Sequence, residues 1–297
     1  MKWSFSAHGS FRKCPRQWFY KKACANALAK DPVRREAYRL SKLEGIQAWR
    51  GKIVDTVISE TVIPSIAWKR QCSLDDAKRA ADRLFDQQRV QRLNGNGEGK
   101  FFEMEYGTPL TEDMFTTARA EVHTALENFY RAEPVWNLLK QAGRLITQRS
   151  LSFKHGDVTV QVVPDLLLFR YPAAPVIFDW KVNARPLRDY WLQLVTGAIA
   201  LSRCTPHKDW PVNGTRHGPH EMELLEVQLL TGTVRTHAIA AEDVADAEDF
   251  ISLSATEMLL ARGDDEDDLK PEDFPVARDP RTCQMCPFRK MCWGVQS

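Results

Sequence analysis

Residues Val162–Val182 read VVPDLLLFRYPAAPVIFDWKV. An apolar run rich in Val, Leu, Ile and Phe is the pattern of strands buried in the middle of a sheet. This run carries Asp165 and then the triplet Asp179-Trp180-Lys181. Alternate strand residues face the same way, so Asp179 and Lys181 project together while Trp180 points to the other side, into the core. The turn RYPAAP (170–175) can fold the first strand back beside the second, which brings Asp165 near Asp179. Two carboxylates and a lysine on adjacent strands form either a buried ion pair or a site for a hard divalent cation. A buried pair is costly, and here it would leave one acid in surplus, which favours the cation. A metal in that place would polarise a phosphodiester and acidify a bound water, with the lysine orienting that water or offsetting developing charge.

The flanking sequence predicts a mixed α/β core. LITQRSLSF (145–153), a hairpin turn at HGD (155–157), VTVQVVPDLLLF (158–169) and VIFDWKV (176–182) predict three strands. Glu223–Leu230 and Thr233–Ala238 predict a hairpin across Thr231-Gly232. Apolar residues at helical spacing predict helices over Leu40–Ile58, Leu74–Leu93, Thr111–Phe129, Leu187–Leu201 and Asp243–Ala261, with a short one from Pro134 and a loop over Asn94–Gly99. The expected organisation is an N-terminal segment (1–31), a helical region (32–144), a core (145–262), an acidic linker (263–280) and a cysteine-rich tail (281–297).

The chain of 297 residues can bury a substantial core, and its hydrophobic and charged fractions, 43% and 27%, are those of a globular protein. No apolar run reaches the ~18 residues that span a bilayer, and the N-terminus has no apolar segment of signal-peptide length, so a cytoplasmic location is expected. The net charge of +2 hides a gradient. Met1–Lys52 holds 13 Lys and Arg against 3 acids, whereas Glu242–Asp273 holds 13 acids against 2 bases. A basic N-terminal segment suits a polyanion, although a solvated helical face would look the same.

The order Pro164-Asp165, then Asp179-Trp180-Lys181, resembles the PD-(D/E)XK nuclease signature, and its surroundings are similar to the RecB-like branch, which includes the CRISPR-associated RecB-like exonucleases. The resemblance implies a restriction-endonuclease-like core, a central mixed sheet flanked by helices, carrying a helical insertion. It implies Mg2+ or Mn2+ held by Asp165 and Asp179, and catalysis by Asp165, Asp179 and Lys181. In that branch a later helix carries Q-x-x-x-Y: Gln193 matches and is assigned a catalytic role, but Gly197 stands where tyrosine is expected. An upstream helix carries G-x-x-x-H: Gly51 to Asp55 matches the spacing, with Asp55 replacing the histidine as a metal ligand. The expected activity is metal-dependent hydrolysis of DNA, single strands included, by an exonuclease of repair, recombination or defence. The alternative is a nuclease-fold subunit that binds DNA or a protein partner without cutting.

Seven cysteines in a chain without an export signal argue against a disulfide framework and for metal binding. Cys283, Cys286 and Cys292 are one thiol short of a tetrahedral set, and Cys14 is the natural fourth. RecB-like nucleases with an iron–sulfur cluster share this layout, which implies a [4Fe–4S] cluster, or alternatively Zn2+, stapling the two ends of the chain. Cys24, Cys72 and Cys204 are expected to be small core residues. Arg12, Arg16, Lys154, Arg185 and Arg188 are candidate nucleic-acid contacts, with Lys154, Arg185 and Arg188 expected to flank the carboxylate–lysine site and hold phosphates. The aromatics Trp3, Phe5, Phe11, Trp18, Phe19 and Tyr20 could stack on single-stranded bases, but packing is favoured. His217 and His220 are expected in a solvated loop. The absence of G-x-x-x-x-G-K-[ST] leaves any motor to another chain.

Overall fold

The computed structural model describes residues 1–95, 99–183, 190–211, 216–263 and 269–293. The N-terminal segment folds as β1 (Lys2–Trp3), α1 (Phe5–Lys13) and α2 (Pro15–Trp18), which runs on as a π-helical turn over Phe19–Cys24. Six helices and a short turn of helix follow: α3 (Pro32–Ser41), α4 (Ile46–Val57), α5 (Ile63–Ala67), α6 (Leu74–Leu93), α7 (Phe102–Glu105), α8 (Glu112–Arg131) and α9 (Glu133–Lys140). Then come β2 (Arg144–Thr147), β3 (Leu151–His155), β4 (Val158–Val162), β5 (Leu166–Phe169), β6 (Val176–Lys181), α10 (Tyr190–Arg203), β7 (Glu223–Gln228), β8 (Thr233–His237), α11 (Ala241–Arg262), α12 (Pro280–Gln284) and α13 (Arg289–Trp293).

Local chemistry sets the helix ends. Ser73 and Asp76 close a reciprocal capping box at the start of α6, and Thr111 caps α8. The helix expected over Leu40–Ile58 is two helices, because the chain breaks after Ser41 and restarts at Gly45. Gly45 has no side chain with which to cap α4, and the Glu103 carboxylate does so instead, accepting from the Ile46 N–H at 3.1 Å. A Cβ at Gly45 would lie 3.3 Å from that carboxylate oxygen.

The three strands expected over 145–182 are five, distributed over two sheets. β2-β5-β6-β7-β8 form a five-stranded sheet, and β1-β4-β3 form a second. Pro164 has no N–H for a ladder and ends β4, and Gln148, at a left-handed φ of 50°, ends β2. The hairpin turns fall at Gly156 and Gly232, both with positive φ. β6 is central, antiparallel to β5 and parallel to β7, with Asp179 in register with Glu226. The sheet is therefore mixed, as expected.

Helices cover both faces. On one face Val176, Phe178 and Trp180 of β6 pack with Trp49, Ile53, Phe85, Phe115 and Phe129 of α4, α6 and α8. On the other, Ile177 packs with Val195, Ala198 and Ile199 of α10, and this core extends through Trp3, Phe11 and Trp18 to Phe274 and Phe288. The amino-terminal aromatics are thus packing residues: Phe19 stacks on Phe274 at 4.9 Å and Tyr20 on Phe288 at 5.5 Å. Among the described residues no helix is long and apolar enough to cross a membrane.

Gly197 explains its own departure from the Q-x-x-x-Y pattern. It lies where α10 meets both sheets, and a Cβ there would sit 3.7 Å from Ile177 Cγ2 and 3.9 Å from Val162 Cγ1. A methyl group makes ordinary contact at those distances, whereas a phenol overpacks. Gly197→Ala is expected to leave thermal stability unchanged or raise it by up to ~1 kcal/mol through helix propensity, and Gly197→Tyr to lower it by ~1–3 kcal/mol. Calorimetric melting of both variants checks this, and a Gly197→Tyr protein as stable as the parent would contradict the packing argument.

Candidate active site

The C-terminal end of β6 brings five predicted residues together. Lys181 Nζ donates to Asp179 Oδ1 at 2.7 Å, and Gln193 Nε2, from α10, donates to the same oxygen at 2.9 Å. Asp179 is 2% exposed, and its second oxygen, Oδ2, is buried with no hydrogen-bond partner among the described residues. Asp165 stands in the break that Pro164 makes between β4 and β5. Its Oδ2 accepts the Trp180 backbone N–H at 2.8 Å, and its Oδ1 accepts from Gln148 Nε2 at 3.2 Å. Asp55, in the last turn of α4, accepts from Gln148 Nε2 and from the Trp180 indole N–H, both at 2.9 Å. Trp180 is 4% exposed and lies edge-on to Phe129, so it faces the core as its strand parity requires while its ring nitrogen reaches Asp55.

Electrostatics make this an unsatisfied cluster. Burial, and then the charge of Asp179, push the Asp165 carboxyl up to about 8, against the pull of Lys181 and the Trp180 N–H. Asp179 is raised chiefly by burial, with Lys181 opposing and the Glu226 and Asp55 charges adding to the rise. Asp55 is raised by burial against its two hydrogen bonds. Three carboxylates around one lysine cannot all ionise cheaply without further positive charge. Together with the orphaned Asp179 oxygen, this donor set fits a hard divalent cation. Among the described residues, no three carboxylate, imidazole or thiol groups are already closed into a metal cage.

These shifts fix a pH dependence. An aspartate whose folded pKa is raised from 3.8 to about 8 contributes stability that is fully present below pH 4 and is lost as pH rises through 8. Without metal, the wild-type melting temperature is therefore expected to fall between pH 5 and 8 relative to Asp165→Asn, and Mn2+ to close that gap. Parallel pH profiles in chelator would contradict the raised carboxyl.

Three residues of the site were not anticipated. Gln148 ties Asp55 to Asp165, and nothing in its sequence position announced that. Buried Arg50, also on α4, donates to the Val182 carbonyl at 2.6 Å, pairs with Glu121, and lines the cleft with Asp55, Asp165 and Lys181. Glu226 is 2% exposed beside Asp179 and accepts from Gln228 at 2.7 Å, His237 at 3.2 Å and Arg235 at 3.4 Å. A carboxylate inside the strand ELLEVQ carried the same signal as Asp179 and could have been read the same way.

The predicted cysteines also converge. Cys14, Cys283, Cys286 and Cys292 line one cavity with Arg16, Tyr20 and Phe288, joining the α1–α2 junction to the tail. Cys14 Sγ accepts the Gln17 N–H at 3.4 Å, and Arg16 lies 3.9 Å from Cys292 Sγ. Burial, with the neighbouring cysteines adding, raises the Cys283 thiol and pushes the Cys286 thiol up to about 11, so thiolates here need added positive charge, and four thiols lining one cavity fit a metal centre that would supply it. Tyr106 and Lys290, bonded to Pro287 and Glu105, fasten the tail to α7. Cys24 and Cys204 are buried and Cys72 partly so.

The candidate nucleic-acid contacts separate. Arg12 is exposed at the end of α1. Arg16 turns inward, donating to the Phe274 carbonyl at 2.9 Å as well as towards Cys292. Lys154 does not flank the cleft as expected: it is exposed on β3 and pairs with Thr159, at the far end of β4 from Asp165. Arg185 and Arg188 lie outside the described residues. His217 faces Glu221 at 3.5 Å.

Comparison with known proteins bears on the whole chain. Curated proteins gave no match. Among solved structures the chain is similar to a "Putative exonuclease" from Eubacterium rectale, at 10% identity over 86% of this chain and 79% of that one, with a TM-score of 0.42. It is also similar to SSO0001, at 12% identity over 66% of this chain and 80% of that one, with a TM-score of 0.29. A family model described as the PD-(D/E)XK nuclease superfamily matches residues 2–293. That match spans both the Asp179-Trp180-Lys181 cleft and the cysteine-lined cavity, and the chain belongs to the PD-(D/E)XK nuclease superfamily.

Proposed function

We propose that this protein is a divalent-metal-dependent DNA exonuclease of the RecB-like kind. The observation that carries the reading is the buried, unpartnered Oδ2 of Asp179 within a group of three carboxylates and one lysine. Asp55, Asp165 and Asp179 would hold the ion. Bound Mg2+ or Mn2+ supplies positive charge to a scissile phosphate and acidifies a water. Lys181 then orients the attacking water beside the carboxylates, and in-line attack on phosphorus forms one P–O bond as the bond to the leaving oxygen breaks. Gln193, bound to Asp179 Oδ1, fixes that carboxylate and leaves its Oδ2 uncommitted to any described side chain. Arg50 and Gln148 hold the cleft walls: one pins the backbone after Lys181, the other spaces Asp55 from Asp165.

The four cysteines lining one cavity support a [4Fe–4S] staple, with Zn2+ as the other occupant that four thiolates suit. Arg12, exposed at the end of α1, is a candidate basic contact to DNA, with Arg185 and Arg188 proposed to join it. A cytoplasmic setting in repair, recombination or CRISPR-type defence, with a protein partner, fits the resemblance. One observation favours the non-cutting reading: Asp55, in the place of a histidine, is held by Trp180 and Gln148 rather than standing free.

The test is cleavage of 5′- and 3′-labelled single- and double-stranded DNA by anaerobically purified protein. Mononucleotides released from one labelled end in Mn2+ are expected. DNA retained in chelator and left intact in every metal would transfer the assignment to a binding subunit.

A further inference from the structure

A row of charge runs across the sheet from Asp179 to its edge. β6, β7 and β8 lie side by side, and their register sets Asp179 opposite Glu226 and Glu226 opposite Arg235. Residues directly opposite one another share a face. Leu224, two residues before Glu226, packs in the same core as Ile177, two residues before Asp179, so the row lies on the α10 side of the sheet. At ~4.8 Å per strand, the Arg235 Cα stands roughly 10 Å from that of Asp179. Burial falls along the row: Asp179 and Glu226 are each 2% exposed, whereas the Arg235 side chain at the edge is 45% exposed.

A carboxylate inside a central strand is costly, and a second one beside Asp179 adds repulsion. Glu226 is held by donors: Gln228 Nε2 at 2.7 Å, His237 Nε2 at 3.2 Å and the Arg235 guanidinium at 3.4 Å. The arginine contact is the longest of the three. It engages one of five guanidinium N–H groups, and Arg235 makes no other side-chain hydrogen bond or ion pair among the described residues. An ion pair with one half-exposed partner adds little to stability, so the pair is a poor reason to keep a buried acid here. What Glu226 does accomplish is to tether, two strands from the site, a guanidinium whose outer donors face water. A guanidinium fork matches phosphate geometry, and the superfamily acts on a polyanion. We propose that Arg235, anchored by Glu226, binds a backbone phosphate of the DNA strand whose scissile phosphate lies at Asp179. At ~3.4 Å per nucleotide of a stacked strand, roughly 10 Å places that phosphate about three nucleotides away. The assignment rests on the nuclease reading of the site and makes Arg235 a substrate-binding residue, not a catalytic one.

The test is the salt dependence of DNA binding by the full-length protein in chelator, where nothing is cleaved. Fluorescence anisotropy of a short labelled single strand and of the matching duplex is measured with wild type, Arg235→Ala and Arg235→Lys, each checked for its fold by melting. Each phosphate contact contributes ~0.7 to the slope of log affinity against log salt for a single strand, and ~0.9 for a duplex. Arg235→Ala is expected to flatten the slope by that amount and to weaken binding at least ~3-fold near 0.1 M salt, whatever the base sequence. Arg235→Lys keeps the charge, so its slope should match the wild type. A merely structural arginine would not change the number of phosphates contacted. Wild-type slope and affinity in Arg235→Ala overturn the proposal, and so does an Arg235→Lys slope as flat as that of Arg235→Ala. Those results leave the nuclease reading standing. Failure of the wild type to bind either DNA overturns both.

Discussion

Replacing Asp179 by asparagine is expected to reduce metal-dependent hydrolysis by at least ~10³-fold, because the interaction lost is worth several kcal/mol in the transition state and each ~1.4 kcal/mol is a factor of ten. Asparagine keeps the shape and can still accept from Lys181 and Gln193 at the Oδ1 position. It removes the charge that the buried, unpartnered Oδ2 would offer to a cation. The same change relieves repulsion on Asp165 and Glu226, so the metal-free variant should melt at or above the wild-type temperature. Loss of activity with stability retained separates a functional carboxylate from a structural one. Calorimetric titration of Mn2+ against the variant provides a readout independent of turnover, and affinity equal to wild type would remove Asp179 from the proposed ligand set.

Replacing Cys14 by alanine is expected to produce the largest loss of stability of any single change. The proposed metal centre joining Cys14 to Cys283, Cys286 and Cys292 would close a loop that contains almost the whole chain. A cross-link over a loop of ~100 residues or more is worth about 5 kcal/mol through the entropy it removes from the unfolded state. For a chain of this size that corresponds to roughly 10–20 °C in melting temperature. The bound metal should disappear from elemental analysis of the purified variant, and iron with inorganic sulfide in the wild type would distinguish a cluster from zinc. Cys24→Ala and Cys204→Ala, at buried thiols away from this cavity, are the controls, expected to cost only the ordinary penalty of a small cavity. A Cys14→Ala protein as stable as those controls would remove the staple.

Much of this arrangement was legible in the sequence because strand parity is a strict rule. Once 176–182 was read as a strand, Asp179 and Lys181 had to share a face and Trp180 had to oppose them, and they do. The Gln193 helix and the convergence of Cys14 with the tail were legible from spacing within a resemblance that covers most of the chain. The misreadings have local causes. LITQRSLSF looks like one strand because apolar residues stand at both ends, Leu145 and Ile146 before Leu151 and Phe153, with no Gly or Pro between them, and the left-handed backbone at Gln148 divides it between two sheets. VTVQVVPDLLLF hides a break at Pro164, although a proline without an N–H was grounds to expect one. Lys154 was placed near the cleft by its distance along the sequence, whereas the register of β3 on β4 puts it at the far end. Gln148 and Arg50 act through contacts between elements distant in the chain, and no local pattern encodes such contacts.

The most direct test of the central claim is hydrolysis of end-labelled DNA in Mn2+ by wild type and by Lys181→Ala, side by side, with the fold of each checked by melting. Lys181 is partly exposed and at the end of its strand, so its removal should leave the protein folded. The account predicts metal-dependent products from the wild type, none in chelator, and a loss of at least ~10²-fold in the variant, the scale of a positioned proton-transfer or charge-stabilising group. Full activity in a folded Lys181→Ala protein, or hydrolysis that persists in chelator, would contradict it.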